Sequence, residues 1–175
     1  MHSSPIKHAM KFGLIIGAIS STNFLLSNIQ NSATQLLSTA ISISIIYLVY
    51  RFTVHYRTTE RNDQMTYGQG ISYIVWLYLF SSIISSTFKY VYWQFIDPEF
   101  LPELINQSLL MLETMKIEIT DEMIEQMKRM LNPRVMALQF VWFNLLGGFI
   151  LSLIIAAFTR KEKSIFDDES SSNSL

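Results

Sequence analysis

The stretch VMALQFVWFNLLGGFILSLIIAAF, from Val135 to Phe158, contains no charged residue. A bilayer's hydrocarbon core is about 30 Å thick, and a helix needs about 20 mostly apolar residues to cross it. This run meets that length, so it reads as a membrane span. Three other segments pass the same test: Phe12 to Ile29, Leu36 to Val54 with Arg51 near its end, and Gly68 to about Tyr92, uncharged as far as Phe88. The expected fold class is all-α, an integral membrane four-helix bundle with spans at about 12–29, 36–54, 68–92 and 135–158. The second span carries a competing pattern, because AISISIIYLVY (40–50) alternates Ile and Ser at a strand period. No other alternating run offers it a partner, and an open sheet in lipid would leave backbone groups unpaired, so the helix is favoured.

Composition agrees. Charged residues make up 15% of the 175, against about 25% in a soluble domain, and they cluster between the apolar runs. The net charge of −1 gives no bulk attraction toward nucleic acid. The chain has no cysteine, which excludes disulfides, thiol catalysis and thiolate metal sites. The start, MHSSPIKHAMKFGLIIGAISS, has the basic-then-apolar order of a signal peptide. Its apolar run continues beyond Asn23 into Phe24, Leu25 and Leu26, so it reads as an uncleaved first span.

Lys and Arg set orientation through the short flanks. Lys7 and Lys11, then Arg51, Arg57 and Arg61, then Arg160, Lys161 and Lys163 all fall on one side of a four-span arrangement. The loop QNSATQ (30–35) has none, so both termini are expected in the cytoplasm. Lys128, Arg129 and Arg134, just before the last span, oppose this reading. Residues 97–132 are expected to form an extracytoplasmic amphipathic helical hairpin. Its first helix would be capped by Asp97 with Pro98 at the first helical position, and would run to about Lys116. Its second would be capped by Thr120 and stopped by Asn132 and Pro133. The acidic, serine-rich segment 164–175 is expected to be a disordered cytoplasmic tail.

Few residues invite chemistry. Lys89 lies among Tyr90, Tyr92 and Trp93 at the end of the third span. Tyr and Trp favour membrane interfaces, and a lysine there can run its stem along lipid with its ammonium among headgroups. These four residues are therefore expected to be interfacial anchors. The competing role for Lys89 is a buried ion or substrate contact, which would call for a carboxylate at similar depth; no span contains one. Asn23, Gln139 and Asn144 are the notable polar residues of the spans, suited to interhelical bonds or to a carrier path. Small residues recur four apart: Gly13, Gly17 and Ser21; Ser38 and Ser42; Ser81 and Ser85; Gly148, Ser152 and Ala156. Such seams let helices approach closely, within one bundle or between subunits.

Met123, Met127, Met130 and Leu131 form an apolar stripe at helical spacing. It would pack within the hairpin or on lipid, or offer an adaptable face to a partner. Thioethers also bind Cu(I), but no histidine lies nearby to complete a site, since the histidines are His2, His8 and His55. The carboxylates Asp97, Glu99, Glu103, Asp121, Glu122 and Glu125 stand at helix starts, where the helix dipole accounts for them. There is no phosphate loop, zinc motif or nucleophile triad pattern. No catalytic, cofactor-binding or metal residue is nominated, and an enzyme is not expected.

The order of parts resembles a known family. HAMKFGLIIGAIS (8–20) leads to a second span ending in arginines, then MTYGQGISYIVW (65–76), YVYWQFIDPEF (90–100), a Met- and Glu-rich helical loop and GGFILSLIIAAFTRKEK (147–163). This is similar to the small bacterial membrane proteins of domain of unknown function family 4199, common in Bacteroidetes. The resemblance covers roughly 6–163 and implies a bacterial inner-membrane location without implying an activity. The expected role is a non-enzymatic structural or accessory subunit, whose partners are the lipid bilayer and either its own copies or another membrane protein. A small oligomeric carrier or channel, and an extracytoplasmic ligand sensor, are the alternatives from other classes.

Overall fold

Backbone hydrogen bonds of apolar segments must be satisfied internally, and among the described residues helices do so in every apolar segment. The structure is a computed structural model and describes residues 4–29 and 31–161. The expected tail at 164–175, and Lys163, lie outside the described residues. The elements are α1 (Pro5–Ser27), α2 (Ser32–Glu60), α3 (Tyr67–Val91) followed by a π turn (Tyr92–Ile96), α4 (Phe100–Thr114), α5 (Asp121–Met130) and α6 (Pro133–Thr159). The helices α1, α2, α3 with its π turn, and α6 are long and apolar enough to cross a membrane. The chain is thus an all-α bundle with the character of a multi-pass membrane protein.

The helices start earlier and run further than apolar content alone indicates. Ser4 caps α1 by accepting from the Lys7 amide, with Pro5 at the first helical position. This adds two turns before Phe12 and makes His8 helical. The expected loop after the second span is also helical to Glu60, because RFTVHYRTTE holds no Gly or Pro to break it. Asn62 and Asp63 then turn the chain at φ 51° and 60°, a left-handed conformation these two residue types tolerate. Thr66 and Gln69 make a reciprocal capping box that starts α3.

In the hairpin two expected caps change roles. The Asp97 amide donates to the Tyr92 carbonyl at 2.8 Å, closing the π turn. Asp97 therefore belongs to that turn, and α4 begins only at Phe100, without a side-chain cap. Pro102 sits in its first turn, where a missing N–H costs nothing. Thr120 caps α5 as expected, accepting from Met123. Asn132 does more than end α5: it caps α6 by accepting from the Arg134 amide, with Pro133 at the first position.

α3 is the central helix. Of its most apolar eighteen-residue stretch 44% is buried, against 6% for α2. α1 lies parallel to it on one side and α6 antiparallel on the other, and α2 leans mainly on α1. The glycine seams explain this closeness. A Cβ at Gly13 would stand 2.8 Å from Phe80 Cβ and 2.9 Å from the Leu77 carbonyl, and one at Gly17 would stand 3.0 Å from the Ser81 carbonyl. A Cβ at Gly148 would meet the Tyr78 ring at 2.3 Å. Gly70 does the same for Ala156, whose Cβ is 3.0 Å from the position a Gly70 Cβ would take. The seams Gly13–Gly17–Ser21 and Gly148–Ser152–Ala156 are largely buried and thus serve packing within this bundle.

Candidate functional site

The half of the bundle near the termini has a packed core, with a cavity of about 360 Å³ beside it between α1 and α2, lined by Lys7, His8, Lys11, Phe12, His55, Thr59 and Glu60. Ala9, Val49, Met65, Ile74, Leu77 and Ile155 form its core with Tyr56 and Tyr73. The two tyrosine rings stack at 4.3 Å with an interplanar angle of 1°. His8 Nδ1 lies 2.9 Å from the Tyr73 hydroxyl, a buried hydrogen bond spanning 65 positions of sequence. Arg61 Nε donates to the Tyr56 hydroxyl at 3.1 Å. Arg57 ties three elements, donating to Asp63 at 2.9 Å and to the Thr159 carbonyl at 2.8 Å. Asp63 also accepts from the Lys161 ammonium, and Met65 and Lys161 exchange backbone hydrogen bonds. The Lys161 hydrogen bond, then the Arg57 charge, hold the Asp63 carboxyl below its ordinary range despite some opposing desolvation.

The half near the hairpin is different. A cavity of about 500 Å³ opens there between α1, α2, α3 and α6, within the range of small-molecule sites. Its polar wall includes Ser20, Asn23 and Asn28 of α1 and its C-terminal cap, Tyr78 and Ser81 of α3, and Asn144 of α6. Ile16, Ile45, Ile46, Phe24 and Phe140 supply the apolar wall. Among the described residues one charged side chain lines it, Lys89.

Lys89 is half-buried, and its ammonium lies 3.7 Å from the centroid of Phe140 and 5.3 Å from that of Phe24. The side chain is directed into the bundle instead of along its outer surface. Two ring faces attract the cation through their quadrupoles, but no carboxylate among the described residues pairs with it. Trp93 differs likewise from an interfacial anchor. It is 2% exposed and packs against Phe24 and Phe140, each at 5.7 Å, and against Phe100. The π turn swings it inward beneath α4, so it backs the two rings that hold Lys89. Tyr92 is half-buried, stands edge-on to Phe24 at 5.4 Å, and donates to Asp97 at 3.4 Å. Tyr90 lies along an exterior groove between α3 and α6, near Arg134 and Leu138.

Two asparagines of the cavity wall hold polar atoms without partners. Asn23 Nδ2 donates to Ser42 at 3.0 Å, while its Oδ1 is buried and unbonded, as is Asn28 Nδ2. Asn144 spends its amide on the Phe140 carbonyl of its own helix at 2.7 Å. Gln139 is not part of the lining. Sequence reading had no means to find Tyr78, Asn28 or Phe140: each is an ordinary residue of its segment, and only helix rotation aims them together.

In the hairpin Leu101 and Ile105 are buried and anchor α4, while α5 has no buried residue. Met123, Met127 and Leu131 are half-buried along one line, and Met130 turns off it at 60% exposed. Among the described residues no group of three His, Asp or Glu side chains is placed to hold a metal.

Compared with curated proteins and with solved structures, the chain has no match in either. One family model does match, over residues 11–161, and its description is "Protein of unknown function (DUF4199)". That stretch takes in α1 from Lys11 onward, the other three apolar helices whole and every residue lining the cavity, and the chain belongs to this family.

Proposed function

We propose that this chain is a non-enzymatic membrane protein that binds a small ligand in the cavity at Lys89. The observation carrying this reading is a half-buried lysine facing a polar-walled cavity with no carboxylate beside it. An ionisable group inside a membrane bundle is costly and is retained for a function more often than for packing. The packed layer of Tyr73, Tyr56 and His8 stands between this cavity and the smaller one near the termini, so the Lys89 cavity is blind in this conformation. A blind cavity suits a receptor or one state of a carrier better than an open channel.

The test is extraction of the protein from its own membrane in a mild detergent, followed by denaturation and identification of released small molecules. A ligand retained by the wild type and lost from Ser20→Phe, which narrows the cavity without removing the charge, supports the reading. No retained molecule, together with a stoichiometric protein partner, favours the accessory subunit instead. That second reading has its own support in the hairpin, where Met111, Met115 and Met130 are each at least 60% exposed.

We place the protein in a bacterial inner membrane with both termini cytoplasmic. In the fold, Lys7, Lys11, Arg57, Arg61, Arg160 and Lys161 gather at the end opposite the hairpin. A cysteine replacing Glu118 in the α4–α5 loop should react with an impermeant maleimide from outside, and Gln64→Cys should not. The reverse pattern inverts the topology. Gln64 is chosen because neighbouring Asn62 has φ 51°.

A further inference from the structure

The chemistry of the cavity narrows the class of ligand, and this narrowing rests on the ligand-binding reading above. Three features set it. The first is charge. A lone ammonium with no carboxylate in the surrounding wall leaves the cavity cationic. Cation–π contact with Phe140 and Phe24 offsets only part of the cost of desolvating it. An anion is the missing partner.

The second is shape. Lys89 and Tyr78 both line the cavity and stand on one helix about 16 Å apart along its axis, at 1.5 Å per residue. The space therefore extends from the hairpin end to about the middle of α3. The third is the mixed character of the wall along that length. Ser27 and Asn28 stand at the Lys89 end, while deeper in Ile16, Ile45 and Ile46 share the wall with Ser20, Ser42 and Tyr78. An inorganic anion would use the first group and leave the isoleucines idle. A neutral hydrocarbon would do the opposite and leave the ammonium unpaired.

We infer that the cavity binds an anionic amphiphile, with its carboxylate or phosphate headgroup on the Lys89 ammonium and its hydrocarbon chain along Ile16, Ile45 and Ile46. The headgroup then supplies the counter-charge that the protein lacks. Asn28 lines the same cavity, and a small rotation of its side chain would bring its buried, unbonded amide nitrogen to the headgroup oxygens. The hydrocarbon chain covers the apolar part of the wall.

The full-length protein, in nanodiscs of phosphatidylcholine, is titrated with oleate, methyl oleate, acetate and inorganic phosphate, and bound molecules are counted by native mass spectrometry. One oleate should bind at least tenfold more tightly than methyl oleate, and acetate and phosphate should bind far more weakly. Lys89→Met should erase the difference between oleate and methyl oleate, and Lys89→Arg should keep it. Equal binding of oleate and methyl oleate to the wild type overturns the inference while leaving the ligand cavity standing, provided Ser20→Phe weakens both. Acetate or phosphate binding as tightly as oleate also overturns it, and identifies a free anion as the ligand. Failure of every probe, or binding indifferent to Ser20→Phe, removes the cavity reading together with the inference. The comparison between oleate and its methyl ester needs no variant, so the test survives a variant that fails to fold.

Discussion

The two halves of this bundle use polar side chains in opposite ways. Near the termini, polar groups are mostly paired: His8 with Tyr73, Arg61 with Tyr56, Arg57 with Asp63 and the Thr159 carbonyl. Near the hairpin, Lys89 rests on two rings with no carboxylate paired to it among the described residues, and Asn23 and Asn28 keep unbonded atoms. Pairing in a region of low dielectric adds stability and fixes geometry, whereas unpaired groups cost free energy. The terminal half is thus built to hold, and the hairpin half keeps an unmet demand that a ligand can answer. Helix α2 shows how one element serves both. Its C-terminal part supplies the buried Val49, Thr53 and Tyr56, while its N-terminal part has no buried residue and leaves room for the cavity.

The largest effect should come from the backbone contact shared by both halves. Gly148→Ala puts a methyl into the Tyr78 ring close to its own backbone, where neither can yield. A loss of about 3 kcal/mol is expected, at the upper end for overpacking. Gly147→Ala, with open space around it, should be neutral or stabilising by up to about 1 kcal/mol. Thermal unfolding of the two variants in the same detergent checks the pair. Equal melting temperatures would refute the seam as the contact between α3 and α6.

Next is Tyr73→Phe, which removes the hydroxyl from His8 and leaves a buried ring nitrogen without a partner. His8 Nε2 is already unbonded. A loss of about 1–2 kcal/mol is expected, read as a lower unfolding midpoint. No change would mean that the terminal half is held by packing alone.

Lys89→Met, without ligand, should move stability the other way. Replacing an unpaired, half-buried cation with an apolar side chain of similar length should be neutral or stabilising by about 1 kcal/mol. A clear loss of stability in the ligand-free protein would show that Lys89 is structural, and the contrast between the halves would disappear.

The smallest effect concerns Asp63. Its folded pKa lies below the ordinary value, chiefly through the Lys161 hydrogen bond, so its contribution is present above the unfolded value of about 4. That contribution is lost as pH falls through the folded value. Asp63→Asn should therefore flatten the acid limb of the stability profile slightly and leave neutral pH nearly unchanged, because the group is exposed. A large effect at pH 7 would assign the clasp between Asp63, Arg57 and Lys161 more weight than its exposure allows.

Much was legible beforehand, and the reason is local. Whether a segment can cross a bilayer depends on its own transfer free energy, so the four apolar helices follow from composition and length. Caps are also local, and Thr120 acts as expected. Ser4 with Pro5, and Asn132 with Pro133, carried signals for longer helices that the apolar runs masked. The error at Asp97 had a local cause too, a five-residue π turn that no simple spacing announces.

The seams and the lysine were different. Periodicity placed Gly13, Gly17 and Gly148 on helix faces, yet could not say which neighbour each face would meet. Lys89 among aromatics fits an interfacial belt or a cation box equally well, because both use the same residue types. Sequence by itself determined the spans, their order, the basic flanks and the family, all properties of contiguous residues. Only the tertiary structure decided that α3 is the hub, that Trp93 and Lys89 turn inward, and that Tyr78, Asn28 and Phe140 share one cavity. Those outcomes depend on how each helix rotates about its axis, which is set by close packing between segments distant in the chain.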